Sequence, residues 1–487
     1  MKAVISFQIS GLYSAYKERI YVLGNNDEND EICYLASQYF LKNQNADKKI
    51  LFLLNPISLY DFTDNSRISI NELNGVDHNG VPVFLIEKDE QKNRQSEREH
   101  FKTKIIDKES EFGYQTECSV VPYFGISNDK RYRVLKEPIS ASNIKHFIFN
   151  VFVIILRKVY TLYEEGFNEI DVYYFVDTGQ NHLISLFKDA IYSVHHFLKI
   201  ADFINYKGFI VSSEPYVGSK IEFSVNVFKE EITHKLFFNF PYEKLENVNK
   251  LVNHAFYLFN FLKHNIPLGF LTYLSNEELV EQKEKFLRGI KDLLENEYSA
   301  ISYVIEEDEK QNKQLVFLSR GFRKALVDDV LSLGLGYRIL KVFSKFIEKV
   351  KLEFVCSQNR YFFSINFLTN FIKFYEFFDN NLKSSNIVAF LNNNEIFYER
   401  DIKNLTNIKP DNVLKETCLG RVLEGKSFHC HKIKLTDNAV RNFVAHSGFE
   451  NNIVKVFKKD DKLFLGYETY EISVQFLNKF LNLEKIR

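Results

Sequence analysis

An arginine and a histidine lie five residues apart near the end of the chain, in the run from Arg441 to Glu450. A guanidinium is permanently charged and can hold a phosphate through two parallel hydrogen bonds, whereas an imidazole exchanges a proton near neutral pH. Arg441 and His446, with the small Ala445 between them, therefore suit phosphodiester chemistry. Asn442 is the third candidate catalytic residue, because its amide can orient a hydroxyl group.

A short helix is predicted to position these residues. Thr436 is expected as its N-cap, Asp437 in its first turn, and Gly448 as the left-handed residue that ends it. At about 100° per residue, the apolar residues fall on one side and form a stripe for burial. The apolar stripe is Val440, Phe443 and Val444. The other side carries Asn438, Arg441, Asn442, Ala445 and His446.

A purely structural interpretation of the same residues also exists. Arg441 would then be an ordinary surface arginine, and His446 would cap the carboxyl end of the helix. The five-residue spacing alone does not separate the two interpretations.

The first part of the chain alternates short apolar strands with helices, and polar turns follow the strands. This order predicts an α/β domain with a Rossmann-like parallel sheet over residues 1–232. The predicted strands are 2–9, 48–54, 81–87, 118–124, 169–176 and 207–211, with an edge strand at 222–229. The predicted helices are 28–42, 143–164 and 180–197. Residues 87–111 are densely charged and are predicted to be a solvated insertion.

Beyond about residue 232 the apolar spacing becomes mostly helical. We predict a helical linker region over 233–320 and a mainly α-helical domain over 321–487. That domain is expected to end in a β-hairpin within 451–470.

Ligands of open α/β sheets bind beyond the carboxyl ends of the strands, where polar loops follow several predicted strands. The helix that opens near Asn181 would also offer free backbone N–H groups to an anion. The candidate ligand-binding residues are Ser10, Gly11, Asn55, Pro56, Ser58, Thr178, Gly179, Gln180, Asn181 and Ser213. No dinucleotide or P-loop glycine pattern is present, and ordinary strand-to-helix turns are the alternative.

Composition excludes several classes of protein. With 63 Lys and Arg against 64 Asp and Glu, the net charge of −1 excludes a basic nucleic-acid coat. The five cysteines are scattered without a CxxC pair, which favours a reduced, cytoplasmic protein over a disulfide scaffold. His429-Cys430-His431 lacks the four ligands of a tetrahedral zinc site, so no metal site is predicted.

The run from Arg441 to Gly448 resembles the Arg-x4-His signature of HEPN-domain ribonucleases. The form with Asn442 after the arginine and Ala-His-Ser-Gly at the end is similar to that of type III CRISPR ancillary nucleases. The Asp-x-Gly-x-Asn pattern at Asp177–Asn181 resembles the ligand loop of CARF domains, which are CRISPR-associated Rossmann folds. The turns at Asn55-Pro56 and Ser213-Glu214 are similar to other strand-end turns of that family.

The resemblance implies a CARF-like sensing domain over 1–232 and a HEPN-like ribonuclease domain at the carboxyl end. It implies a homodimer or higher even-numbered oligomer, activated by a cyclic oligoadenylate, with cyclic tetra-adenylate as the expected form. Gln180-Asn181 and the charged insertion depart from the commonest pattern, which leaves the ring size open.

The implied activity is metal-independent cleavage of single-stranded RNA, with the 2′-hydroxyl as nucleophile and a 2′,3′-cyclic phosphate as product. A non-enzymatic CARF regulator that binds nucleic acid or a protein partner is the alternative. It predicts that Arg441 and His446 are dispensable.

Overall fold

The chain of the computed structural model divides into two units. The structure describes a defined set of the residues in these units. These residues are 1–9, 19–22, 31–56, 68–69, 105–121, 125–127, 130–134, 141–176, 181–213, 224–232, 250–264, 266–300, 302–307, 313–318, 325–349, 353–357, 360–371, 417–419, 434–445, 448–449 and 452–485. The first unit comprises Met1–Thr233 and Lys291–Val327, and the second comprises His234–Ile290 and Asp328–Arg487. Residues 233–320, for which the sequence predicts a helical linker, are therefore divided between the two units.

Strands and helices alternate through most of the first unit, and helices predominate in the second. The strands are β1 (Lys2–Ile9), β2 (Arg19–Val22), β3 (Glu31–Cys33), β4 (Lys48–Pro56), β5 (Ile68–Ser69), β6 (Gln115–Val121), β7 (Gly125–Ser127), β8 (Lys130–Val134), β9 (Glu169–Phe175), β10 (Asn205–Ser213), β11 (Ser224–Glu231), β12 (Ser302–Glu307), β13 (Lys313–Leu318), β14 (Phe354–Ser357), β15 (Arg360–Ser364), β16 (Thr417–Cys418), β17 (Val454–Lys459) and β18 (Lys462–Tyr467). The helices are α1 (Ala36–Lys42), α2 (Lys108–Phe112), α3 (Ala141–Glu164), α4 (Asn181–Ala201), α5 (Lys250–Lys263), α6 (Pro267–Asn276), α7 (Lys283–Ala300), α8 (Ala325–Lys349), α9 (Asp437–Ala445) and α10 (Tyr470–Lys485).

An eight-stranded sheet in the order β3-β2-β11-β10-β9-β1-β4-β6 organises the first unit. The five successive strands β10, β9, β1, β4 and β6 are parallel, which confirms the predicted Rossmann-like sheet. Ile9 pairs with Leu54, and Gln8 pairs with Phe175, so the carboxyl ends of these strands lie at one edge. The chain runs outward from β1 to β6 on one side and from β9 to β10 on the other.

Two sequence-based predictions in this sheet are corrected. The helix predicted over 28–42 begins only at Ala36, because Glu31–Cys33 pairs with β2 as a strand. The strand predicted at the edge over 222–229 is an interior strand, since β11 pairs with both β10 and β2. The strand predicted at 81–87 lies outside the described residues. Of the predicted insertion, the described part includes α2 and the fully buried Ile105.

A second sheet of the first unit, in the order β5-β12-β13-β8-β7, was not predicted. Strands β12 and β13 pair along their whole lengths, from Ser302 opposite Leu318 to Glu307 opposite Lys313. They lie in the stretch predicted to be helical. Strand β13 then pairs in parallel with β8, which is far away in sequence.

The second unit combines helices with a sheet in the order β14-β15-β18-β17-β16. Strands β17 and β18 form the predicted hairpin, and α10 follows it. The hairpin turns at Asp460 and Asp461, whose φ angles of 49° and 56° are those of a tight two-residue turn.

Phenylalanine fills much of the second unit's core. The rings of Phe270, Phe343 and Phe371 are mutual neighbours, with 5.8 Å between the centroids of each pair. The abundance of phenylalanine in the chain thus has a packing role here.

Among the described helices, none has the length and apolar character needed to cross a membrane. Cys33, Cys118 and Cys356 are not disulfide-bonded, whereas Cys418 is. The scattered cysteine spacing did not predict this bond.

Candidate functional site

Helix α9 begins where the sequence predicts. The backbone N–H of Ala439 donates a hydrogen bond of 3.2 Å to the Thr436 hydroxyl, and the N–H of Val440 donates one of 3.0 Å to the Thr436 carbonyl. Thr436 is therefore the N-cap. Lys479 of α10 holds the same end, because its ammonium lies 3.0 Å from the Asp437 carboxylate and also donates to the Leu435 carbonyl.

The two sides of α9 differ largely as the sequence predicts, although Val444, the third residue of the predicted apolar stripe, is only partly buried. Val440 and Phe443 have no exposed surface, and the Phe443 ring lies 5.0 Å from that of Phe476 in α10. Arg441 and Asn442 are exposed. The buried stripe therefore fixes the rotation of the helix and directs the candidate catalytic side toward solvent.

The chain beyond α9 is held by Gly448. This residue has a φ of 82°, and its N–H donates a 2.8 Å hydrogen bond to the Phe443 carbonyl. The buried Tyr467 hydroxyl donates to the Gly448 carbonyl at 3.1 Å. A Cβ at this position would lie 2.7 Å from the Tyr467 oxygen and 2.8 Å from Cγ2 of Ile266, so both backbone and space require glycine.

Tyr467 stays a neutral hydrogen-bond donor. Burial raises the pKa of its hydroxyl well above the usual range. No sequence pattern indicates this residue, because a tyrosine at the end of a hairpin strand has many uses. His446 and Ser447 lie outside the described residues.

The second candidate site is the carboxyl edge of the eight-stranded sheet. Strands β10, β9, β1 and β4 are neighbours that end at Ser213, Phe175, Ile9 and Pro56. The direction of chain progression reverses between β9 and β1, and ligands of open α/β folds bind at such a switch point. The loops after these two strands are those singled out in the sequence.

The structure describes the candidate ligand-binding residues only in part. Asn55 and Pro56 close β4, Ser213 closes β10, and Asn181 opens α4, all at this edge. Ser10, Gly11, Ser58, Thr178, Gly179 and Gln180 lie outside the described residues.

A buried polar pair near this edge was missed in the sequence. The Ser37 hydroxyl donates a 2.5 Å hydrogen bond to Oε1 of Gln8, whose side chain is almost completely buried near the end of β1. This bond fixes α1 against β1. Gln8 stands within an apolar strand, and such a position could have indicated a buried residue with a hydrogen-bond partner.

No cluster of three metal-binding side chains occurs within the described part of the chain. His195 is buried. Burial lowers the pKa of the neighbouring His196. His429, Cys430 and His431 lie outside the described residues.

Together these features define a class of protein in which one chain contains a Rossmann-like unit and a helical unit that presents an exposed arginine on a capped helix. Residues 5–215 match the family described as "CRISPR system endoribonuclease Csx1, CARF domain", and residues 391–469 match the HEPN domain of the same endoribonuclease. The two matches span more than half of the chain, and the second includes α9. The chain belongs to this family of CARF–HEPN ribonucleases, the ancillary endoribonucleases of type III CRISPR systems. Comparison with curated protein sequences gives no match.

Proposed function

We propose that this ribonuclease cleaves single-stranded RNA at a site formed by Arg441, His446 and Asn442, under the control of a cyclic oligoadenylate bound by the first unit. The observation that carries the proposal is the exposure of Arg441 on a helix whose opposite side is buried, within the segment matched to the HEPN domain.

The reaction uses a nucleophile that RNA itself provides. The 2′-hydroxyl oxygen attacks the adjacent phosphorus, the bond from phosphorus to the 5′-oxygen breaks, and a 2′,3′-cyclic phosphate and a 5′-hydroxyl result. Arg441 binds the phosphate and stabilises the charge that develops in the transition state. His446 transfers a proton, and Asn442 orients the 2′-hydroxyl. This chemistry requires no metal ion.

A single helix supplies one arginine and one histidine. Two copies of the chain related by a two-fold axis would bring two such helices together, so we propose a homodimer or a higher even-numbered oligomer with a composite site.

The regulatory ligand would bind at the carboxyl edge of the first unit's sheet. The loops after β1 and β9 flank the switch point, and the start of α4 offers N–H groups to phosphates. A cyclic oligoadenylate, with cyclic tetra-adenylate as the first choice, carries one negative charge per phosphate and suits such a place.

The decisive experiment measures cleavage of a labelled single-stranded RNA in EDTA, with and without cyclic tetra-adenylate. We expect activator-dependent cleavage that leaves cyclic phosphate ends. A matched RNA with a single 2′-deoxy nucleotide at the cut position should resist cleavage there. Cleavage of that RNA at the same position, or activity that requires an added metal ion, contradicts the mechanism. No response to any cyclic oligoadenylate contradicts the sensing role.

A further inference from the structure

A cleft in the first unit lies between strand β6 at the end of the eight-stranded sheet and the second half of helix α3. Its volume is about 400 Å³, which is within the range of small-molecule sites. Its lining residues come from two strands and two helices: Phe52, Thr116, Glu117, Cys118, Ser119, Ile154, Arg157, Lys158, Thr161 and Tyr298.

The cleft is separate from the carboxyl edge proposed for the activator. Glu165, just after α3, pairs with Lys48 at 2.6 Å, and Lys48 is the first residue of β4. The second half of α3 therefore approaches the amino ends of the strands, whereas the activator loops follow their carboxyl ends. A ligand bound in this cleft would be either a molecule different from the activator or a second copy of the activator.

The polar groups of the cleft are only partly satisfied by the protein. Ser119 is 2% exposed, and its hydroxyl has no hydrogen-bond partner among the described residues. A buried hydroxyl without a partner costs free energy unless a ligand or water completes it. Ser119 shares its face of the strand with Glu117, because side chains two residues apart point the same way.

An ion pair stands beside this hydroxyl. The Lys158 ammonium lies 2.6 Å from one carboxylate oxygen of Glu117, and the Glu117 side chain retains 34% of its exposure. The pair thus offers a hydrogen-bond acceptor and a hydrogen-bond donor side by side. Arg157 precedes Lys158 on α3, and its Nε donates to both Glu295 oxygens at 2.9 Å, so the charge of this arginine is already balanced.

Flat apolar surface completes the cleft. Phe52 and Ile154 supply its apolar wall, and the Tyr298 ring stands at one side with the Arg157 guanidinium 4.1 Å from its centroid. Because the charges in the cleft are paired, it favours a neutral, flat molecule with a polar edge over a strongly charged one.

We propose that this cleft binds a guanine nucleoside. The guanine edge presents two adjacent donors, N1–H and the N2 amino group, next to the acceptor O6. A carboxylate accepts from both donors, and the neighbouring ammonium donates to O6. Adenine offers one donor and one acceptor on the corresponding edge, so it makes one bond fewer. The Ser119 hydroxyl gains its missing partner from the bound nucleoside.

The test is calorimetric titration of the full chain with guanosine, inosine and adenosine as probes. We expect guanosine to bind, and inosine, which lacks the N2 amino group, to bind about tenfold more weakly because one charge-assisted bond is lost. Glu117→Gln and Ser119→Ala should each weaken guanosine binding by a similar factor or more.

Glu111→Gln is the matched control, because Glu111 also pairs with a lysine, Lys108, at 2.6 Å but lies outside the cleft. It should bind guanosine like the wild type. The unfolding midpoint of each variant shows whether Ser119→Ala remains folded. If it does not, the test of the cleft rests on Glu117→Gln, because the Glu117 side chain is partly exposed. Absence of guanosine binding, equal binding of adenosine, or unchanged binding in Glu117→Gln overturns the proposal.

Discussion

The hydroxyl of Tyr467 donates a hydrogen bond to the carbonyl of Gly448, two residues beyond His446. Tyr467 belongs to the hairpin and Gly448 follows α9, so the hairpin holds the chain at Gly448, the first described residue after the proposed catalytic histidine. The Phe443 ring lies 6.1 Å from the Tyr467 ring and joins the same contact to the buried side of α9.

Tyr467→Phe should therefore lower the rate of RNA cleavage, whereas its effect on the free energy of unfolding should be small. Loss of one hydrogen bond costs about 1 kcal/mol of unfolding free energy. We expect kcat to fall with little change in KM, since Arg441, which we propose to bind the phosphate, lies on the exposed side of α9. Tyr257→Phe is the control, because it removes a hydrogen bond of the same 3.1 Å length, from Asn478, elsewhere in the unit. Equal kcat in both variants contradicts a positioning role for Tyr467.

Gly448→Ala should destabilise the second unit. The added Cβ meets the Tyr467 oxygen and Ile266 at less than 3 Å, and the positive φ adds backbone strain. We expect a loss of about 2–3 kcal/mol in urea unfolding, together with loss of cleavage. Gly289→Ala, inside helix α7, is the matched control, because its nearest neighbour would be Leu251 at 3.2 Å and its φ is not in the left-handed region. If the two variants lose the same free energy of unfolding, glycine is not specifically required at position 448.

His446→Ala and Arg441→Lys should each abolish most RNA cleavage while the protein stays folded. Removal of a proton-transfer group lowers rates by about 10²–10⁴-fold, and an ammonium cannot reproduce the two-pronged contact of a guanidinium with phosphate. Single-turnover cleavage assays measure both effects. Arg288→Lys, an exposed arginine on α7, is the control and should cleave like the wild type. Normal rates in the two site variants would instead favour the non-enzymatic regulator.

Gly179→Val should remove activation without affecting the nuclease site. If the loop after β9 approaches the activator closely, a branched side chain blocks that approach. Coupling between two sites is typically about 1–3 kcal/mol, so we expect a stimulation of roughly tenfold to a hundredfold in the wild type and none in the variant. Activator binding and activator-dependent cleavage are titrated in parallel. Normal activator affinity in Gly179→Val excludes this loop from the binding site.

A fall in pH should destabilise the second unit because His254 becomes protonated. Burial and the nearby Lys250 lower the pKa of its imidazole from 6.5 to about 4, despite Glu277 at 3.9 Å, and Nδ1 lies 2.7 Å from the Tyr273 hydroxyl. The unfolded chain then binds more protons between these two values, so stability present above pH 6.5 is lost as the pH falls toward 4.

The expected loss between pH 7 and pH 5 is about 2 kcal/mol from this group, as measured by urea unfolding at each pH. His254→Gln should reduce the difference between the two pH values, whatever its effect at pH 7. If the difference in unfolding free energy between the two pH values is unchanged in His254→Gln, protonation of His254 does not destabilise the folded protein.

The sequence was most informative where local signals agree with the tertiary structure. The sequence indicates three features of α9 that the structure contains. They are the N-cap Thr436, the buried side with Val440 and Phe443, and the left-handed Gly448. The apolar runs of β1 and β9 likewise predicted a buried parallel sheet, because strands covered on both faces need no alternation.

The failures come from pairing between distant segments. Strand β3 has helix-compatible residues but pairs with β2, and β12 and β13 complete a sheet with β8 across a long separation in sequence. No local pattern contains that information. The support given by Tyr467, and the bond between Ser37 and Gln8, depend on the same kind of long-range contact.

The sheet that contains β12 and β13 also bears on the order in which the two units can be completed during synthesis. The first unit needs Lys291–Val327, yet the ribosome makes His234–Ile290 of the second unit before that stretch. Chains emerging from the ribosome therefore carry an unfinished first unit beside the exposed apolar faces of α5 and α6. A fragment cut after Thr233 would keep β8 without its partner β13, so the two units cannot be separated by a single cut in the chain.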